Sequence, residues 1–245
     1  MKLKDYRAMK NRQLTILDEN ISDDRLERLT SRCREVPVDK DSLRFQNQKE
    51  LNEIIASIKE VMKRDNLASV TANQLGFDAR VFGLAWEDTV RVYINPFISD
   101  GEGLVLSREE CSSLPGREYI IPRRKSITIY YSTPTGQIKS DTFRSVAASV
   151  VQQCIELLDG VTLDDLGLEC DEDFDNATPE EQQEVINWYI GALELQKEEL
   201  NTEIENDEVL GGIKKAFDFV EAVANGDIEI TTIPEDQKNP EIDYN

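Results

Sequence analysis

The chain of 245 residues is 39% hydrophobic and carries 49 acidic against 28 basic residues, a net charge of −21. No apolar run approaches the roughly 20 residues of a membrane-spanning helix, and no apolar stretch follows the basic N-terminus as in a signal peptide. We therefore expect a cytoplasmic or otherwise intracellular protein. The acidity disfavours nucleic acid and membrane partners, because phosphates and anionic lipids repel such a surface.

The acidity is concentrated in the last third of the chain. Residues 166–245 hold 23 acidic and 4 basic residues, whereas residues 1–165 hold 26 acidic and 24 basic ones. A near-neutral body thus carries a strongly acidic C-terminal segment. This segment is either a solvated surface that keeps the protein in solution or a docking surface for a partner with a basic face.

The four cysteines show no regular spacing and no C-x-x-C pair. In a chain without a secretion signal, we expect free thiols rather than a disulfide framework. They are Cys33, Cys111, Cys154 and Cys170.

The first part of the chain predicts two helices. Ser22 is a suitable N-cap for a short helix in which Leu26 and Leu29 share one side. Asn47–Arg64 predicts an amphipathic helix, because its apolar residues recur every three or four positions with charged residues between them.

The middle of the chain predicts β-strands. Arg80–Ala85 and Thr89–Ile94 are both rich in apolar and β-branched residues. Pro96 is expected to end the second strand, and Gly101 and Gly103 to form a turn.

A hairpin and a helix are predicted next. Ser126–Tyr131 and Gln137–Phe143 are strand candidates joined by a turn at residues 133–136. Val146–Leu158 returns to helical spacing, and Gly160 is placed to end that helix.

The acidic third predicts a loop followed by helices. The loop is Glu169–Asp175, and Thr178 followed by proline and two acids is a strong helix start. That helix is expected to reach about Glu205, followed by a second helix at about Asp207–Ala224 and a short strand at Ile228–Ile233. Segregated helices and strands predict an α+β fold with a mostly antiparallel sheet.

One block in the last predicted helix of the body carries the most specific signal. Residues 147–165 read AASVVQQCIELLDGVTLDD, which resembles the third motif of the peptide deformylases, Q-H-E-x-D-H-x-x-G. The two metal-binding histidines of that motif fall on Gln153 and Leu157, and its catalytic glutamate falls on Cys154. The chain contains no histidine at all.

Two earlier blocks support the resemblance. Residues 67–76, LASVTANQLG, are similar to the family block G-φ-G-φ-A-A-x-Q, with its glutamine at Gln74 but Leu67 and Ser69 in place of glycines. Gln74 is either a structural residue or a hydrogen-bond donor to a bound carbonyl.

The other block is residues 109–116, EECSSLPG, which are similar to E-G-C-L-S-x-P-G. Cys111 takes the place of the metal-binding cysteine, whereas Glu110 and Ser112 replace a glycine and a leucine.

The resemblance implies a peptide-deformylase-like α+β fold, with mostly antiparallel sheets around a central helix. We divide the chain into an N-terminal extension (residues 1–30), the deformylase-like domain (31–165) and an acidic, mainly helical C-terminal extension (166–245).

The family's metal needs one thiolate, two imidazoles and an open position for water, whose pKa it lowers to about 7. The amide of Gln153 is a poor metal ligand, and the alkyl side chain of Leu157 has no ligand atom. We therefore expect no metal, no other cofactor and no catalysis, and interpret the chain as a pseudoenzyme with a degenerate former site at Gln74, Cys111, Gln153, Cys154 and Leu157.

The sequence also allows other chemistry at the former site. Cys111 and Cys154 are candidates to bind zinc with Glu156, or to form a disulfide, although Cys154 is equally interpreted as a small buried hydrophobe. Acid–base work by carboxylates is a further alternative, with the candidates Glu109, Glu110 and Glu156.

The sequence favours a non-catalytic structural or interaction component of a larger assembly, forming homo- or hetero-oligomers with protein partners. Deformylase-like genes occur in bacteriophage genomes, which suggests a virion or connector component. The alternatives are a peptide-binding module that uses the former substrate groove and a hydrolase with an altered metal site. The candidate docking residues are Glu180, Glu181, Trp188, Glu198 and Glu199.

Overall fold

The computed structural model describes residues 13–17, 20–38 and 45–203, with side chains up to residue 191. Its helices are α1 (Asp23–Thr30), α2 (Gln48–Asp65), α3 (Ser145–Leu158), α4 (Leu163–Leu166), α5 (Glu172–Asn176) and α6 (Pro179–Glu203), with a 3-10 turn at Asn73–Leu75. Its strands are β1 (Ser69–Thr71), β2 (Val81–Trp86), β3 (Thr89–Cys111), β4 (Leu114–Ser132), β5 (Ile138–Arg144) and β6 (Leu168–Glu169). The predicted helix Asp207–Ala224 and strand Ile228–Ile233 lie outside the described residues.

The strands form one antiparallel sheet in the order β1-β2-β3-β4-β5, with β6 pairing to β4. Helix α3 contacts strands β1 to β5 and is therefore the central helix of the fold. This arrangement confirms the α+β class and the antiparallel sheet. No helix in the described ranges combines the length and apolarity needed to cross a membrane.

The predicted end of strand β3 was wrong. The strand does not stop at Pro96 or turn at Gly101 and Gly103 but continues to Cys111, paired with β4. The ladder shifts register between Ile94 and Phe97, so that proline lies at a bulge where no ladder donor is required.

Asn95 fixes that bulge with a positive φ of 49°. Its side-chain amide accepts from Val36 N at 2.8 Å and donates to Val36 O at 2.9 Å, which holds the bulge against the preceding segment.

The main core lies between α3 and the sheet. Tyr93 is its centre, with ring centroids 4.7 Å from Phe82 and 4.5 Å from Tyr131. From α3, Val151 and Leu158 are fully buried in the same cluster. The apolar spacing predicted for α3 therefore reflects burial against strands.

Helix α2 packs on strand β2 through the predicted apolar face. Its contact is close at Gly83, where a Cβ would lie 2.5 Å from Ile58 Cγ2 and 2.9 Å from Met62 Sδ. A residue without a side chain is needed there because the helix lies directly against the strand.

The described start of the acidic segment, up to residue 190, packs onto the β3–β4 hairpin. Helix α6 begins as predicted, with the Thr178 hydroxyl and the Glu181 carboxylate capping its first turn. The prediction of a loop at Glu169–Asp175 was wrong, because that range contains the end of β6 and most of α5. These elements and α6 bury a separate apolar cluster against the hairpin: Leu104, Leu106, Ile120, Cys170, Phe174, Ile186 and Ile190.

We predict that Gly83→Ala destabilises the protein by about 1 to 3 kcal/mol, because the added methyl overpacks the α2–β2 contact. The free energy of unfolding is measured by urea denaturation. Gly191→Ala is the matched control, because nothing lies within 4 Å of a Cβ at that helical position and alanine is the better helix former. Equal stability of the two variants would contradict the packing argument.

Candidate functional site

The fold brings the three sequence blocks together. Gln74 follows β1, Cys111 ends β3, and Gln153 and Leu157 lie four residues apart on one face of α3. Leu157 and Cys111 belong to one buried cluster, and Gln153 Nε2 donates to Glu110 O at 3.1 Å. The positions that the sequence predicted as one site are therefore neighbours in space.

A buried arginine connects the blocks. Arg123 on β4 donates from Nε and Nη2 to the two carboxylate oxygens of Glu109, both at 2.8 Å, and from Nη1 to Glu156 on α3 at 2.6 Å. The Arg123 side chain is 1% exposed and that of Glu109 is 9% exposed. One cation thus fixes the end of β3 to the central helix through charge-assisted hydrogen bonds.

The charge of Arg123 opposes the repulsion between the two acids of this cluster. Burial alone would lower the pKa of Arg123, but the adjacent carboxylates of Glu109 and Glu156 outweigh burial and hold that pKa above its ordinary value. Burial raises the pKa of the Glu156 carboxyl, while the Arg123 charge opposes that rise. The two acids are therefore engaged with the arginine and are not free acid–base groups.

Gln74 has all of its amide groups engaged by protein. Its Oε1 accepts from Thr71 N at 2.9 Å, and its Nε2 donates to the hydroxyls of Ser112 and Ser113, both at 3.0 Å. The residue that replaces the family's leucine, Ser112, is thus a hydrogen-bond partner of the glutamine.

Asn73 is a structural residue that was not predicted from the sequence. Its Nδ2 donates to Leu29 O at 3.2 Å and to Leu157 O at 2.6 Å, so it joins the end of α1 to the end of α3. Arg123 was missed as well, although placing Glu109 and Glu156 at one site was a usable signal, because two buried carboxylates require a cation.

The cysteines of the site are buried free thiols. Cys154 is 1% exposed among the apolar residues of α3 and the sheet. Burial raises the pKa of Cys154 to about 12, opposed by a hydrogen bond with Ser69. This environment is that of a small core residue, one of the two interpretations that the sequence allowed.

The metal implied by the resemblance does not fit these side chains. Cys111 is one sulfur, the Gln153 nitrogen faces two acceptors, and Leu157 has no ligand atom. Within the described residues, no group of three or more His, Cys, Asp or Glu side chains is arranged to hold a metal. No reaction step is therefore derived through a metal.

The described candidate docking residues of α6 are exposed to solvent, although Tyr189 on the same helix interacts electrostatically with Arg123 and Glu156. Trp188 is 72% exposed, and Glu180 and Glu181 are also exposed. The side chains of Glu198 and Glu199 lie outside the described part of the chain. A basic protein partner for this helix stays a prediction.

With this geometry in place, comparisons with known proteins become informative. The family model described as Polypeptide deformylase matches residues 19–168. The curated protein named peptide deformylase from Dictyoglomus thermophilum is 31% identical over 119 residues, which span 49% of this chain and 78% of that protein. Its counterpart from Dictyoglomus turgidum is 29% identical over 116 residues, spanning 47% of this chain and 76% of the relative.

Solved structures agree with the fold. The peptide deformylase of Thermotoga maritima superposes with a TM-score of 0.54 at 22% identity, covering 63% of this chain and 95% of that structure. A probable peptide deformylase from the Synechococcus phage S-SSM7 gives a TM-score of 0.52 at 25% identity, covering 62% of this chain and 97% of that one. The predicted deformylase-like fold is confirmed.

These comparisons correct the functional prediction. A non-catalytic structural component, a pseudoenzyme and a virion protein were expected, yet the matching family and the curated relatives bear the name of an enzyme. None of these comparisons indicates a structural or virion role. The error was to infer the activity class of the whole chain from three side chains, whereas the family match rests on 150 residues.

We predict that Arg123→Met destabilises the protein by about 3 to 5 kcal/mol, because it leaves the buried carboxylate of Glu109 and the partly exposed carboxylate of Glu156 without a cation. Unfolding in guanidinium chloride measures the loss. Arg117→Met is the control, since that half-exposed arginine pairs with Glu169 and Asp164 at the surface and should contribute about 1 kcal/mol or less.

Adding Glu109→Gln and Glu156→Gln to the Arg123→Met variant should recover part of the lost stability, because the unpaired charges are then removed. A loss no larger than that of Arg117→Met would show that the buried cluster does not hold the site together.

Proposed function

This chain belongs to the polypeptide deformylase family, and from that membership we propose that it acts on the formylated N-terminus of polypeptides. The observation that carries the proposal is the family match over residues 19–168, supported by relatives named peptide deformylase at 29% and 31% identity. The intracellular location predicted from the sequence is part of this proposal.

The local structure offers a place for an extended peptide. Strand β1 is an edge strand of the described sheet, and it lies beside α3 and the 3-10 turn that carries Gln74. Edge strands present backbone donors and acceptors that pair with an extended chain. We propose that the N-terminal residues of a substrate bind along β1.

Gln74 is the residue proposed to recognise the formyl oxygen. Its Nε2 already donates to Ser112 Oγ at 3.0 Å, and Ser112 is half-buried. A carbonyl oxygen entering next to Ser112 would replace that hydroxyl as the acceptor, at little cost in unmade hydrogen bonds.

The chemistry of formyl removal is not assigned to residues of this site. In the family a metal supplies the nucleophilic hydroxide, and the side chains present here do not fit that ion. What this chain's own residues supply is binding and orientation: Gln74 aims a donor, and the Arg123 cluster holds the end of β3 beside α3.

We predict that an N-formyl-methionyl tripeptide binds more tightly than the same peptide with a free amine, as measured by isothermal titration calorimetry. Gln74→Leu should weaken binding of the formyl peptide roughly fivefold, because one hydrogen bond contributes about 1 kcal/mol. Ser112→Ala is the matched variant, because it frees the Gln74 donor and should leave the affinity equal or higher.

A formate-release assay on the same peptide, run with and without added divalent metal, tests turnover directly. Formate release supports the proposal in full, and selective binding supports its substrate class. Equal affinity for formylated and free-amine peptides, together with no formate, would contradict it.

A further inference from the structure

We infer that the position at which the family holds its catalytic metal takes no divalent cation in this chain, because its own side chains close that position. The inference rests on the family membership and on the described contacts, and it is separate from the peptide-binding proposal. It concerns only whether an ion binds at these side chains.

The backbone is not the reason for the exclusion. Leu157 and Cys111 share one buried cluster, and Gln153 reaches the carbonyl of Glu110 next to Cys111. The three positions that carry ligands in the family therefore still converge. What differs is the chemistry of the side chains.

Leu157 turns one ligand position into apolar core. It is 3% exposed and packs with other buried residues from three elements, α1, β4 and α4: Leu29, Leu114, Tyr119, Ile121 and Leu163. An ion placed beside this surface would lose its water without gaining a ligand, which is strongly unfavourable.

Gln153 presents the wrong end of its amide. Its Nε2 donates to Glu109 Oε2 at 3.2 Å and to Glu110 O at 3.1 Å. Because both partners are acceptors, the nitrogen has to face them. If the amide turned so that its Oε1 faced an ion, both hydrogen bonds of Nε2 would break. The Oε1 atom would then face the acceptor oxygens of Glu109 and Glu110, which offer it no donor.

The nearby oxygen and sulfur atoms do not make up the deficit. Glu109 and Glu156 are both engaged by the buried Arg123, so coordination of an ion by either would compete with one of the two ion pairs of that guanidinium. Cys154 is fully buried among apolar residues. Even with the neighbouring Cys154 sulfur, Cys111 gives only two ligands, which falls short of the three protein ligands that catalytic zinc sites use.

Co²⁺ is the probe for this inference, because its bond to a thiolate gives an absorption band in the near ultraviolet. The purified chain is mixed with Co²⁺ under anaerobic conditions and desalted, and its metal content is measured by mass spectrometry. We expect no such band and far less than a stoichiometric amount of metal. A stoichiometric ion with a thiolate band that Cys111→Ser abolishes would overturn the inference.

The double variant Gln153→His with Leu157→His tests the cause. It supplies two imidazoles next to Cys111 and keeps the buried Cys154, so it disturbs the core less than adding a glutamate there. We expect it to bind a stoichiometric amount of Co²⁺ with a thiolate band, and Cys111→Ser in the same background to remove that band.

If the double variant folds, by circular dichroism, yet binds no Co²⁺, the claim that side chains rather than backbone geometry exclude the ion is wrong. If it does not fold, the titration of the unmodified chain still decides whether an ion binds. None of these measurements uses a peptide, so their failure is distinguishable from failure of the proposed function.

Discussion

The arrangement of this site depends on one buried cation. Arg123 satisfies Glu109 at the end of β3 and Glu156 on α3, and its side chain is 1% exposed. In a low-dielectric surrounding such a cluster is stable only when every charge has its partner. The geometry of β3, β4 and α3 is therefore fixed together, and the residues between them, including Cys111 and Gln153, have little freedom to move apart.

The side-chain amides of Asn73 and Gln74 connect the first sequence block, residues 67–76, to the same site. Asn73 binds the carbonyls of Leu29 and Leu157, and Gln74 joins Thr71 to the serines that follow Cys111. These bonds connect α1, β1, α3 and the β3–β4 turn without any titratable group. Together with the arginine cluster they explain how three distant segments of sequence meet at one place.

The scaffold and the metal chemistry of this family are separable for that reason. The contacts that position these residues are an ion cluster, amide bonds and apolar packing, and in this chain Gln153 and Leu157 themselves take part in the amide bonds and the packing. Substituting Gln153 and Leu157 at the ligand positions therefore leaves the fold intact. The scaffold makes this chain a member of the family, whereas a few side chains decide whether an ion binds.

Most secondary-structure elements and the three family-like sequence blocks were predictable from the sequence. The 3.6-residue spacing of α2 and α3, the turn at residues 133–136 and the start of α6 at Thr178 were all predictable, because they follow from local periodicity and capping. The length of β3 was not, since its passage through Pro96 depends on a bulge held by the distant Val36.

What the sequence alone decided is which atoms stand at the site: one sulfur at Cys111, an amide at Gln153 and an alkyl group at Leu157. Only the tertiary structure decided that Arg123 pairs with the nearby acids and that Ser112 accepts a hydrogen bond from Gln74. Both contacts join residues far apart along the chain, and no local pattern of residues specifies which distant partner a buried polar group will find.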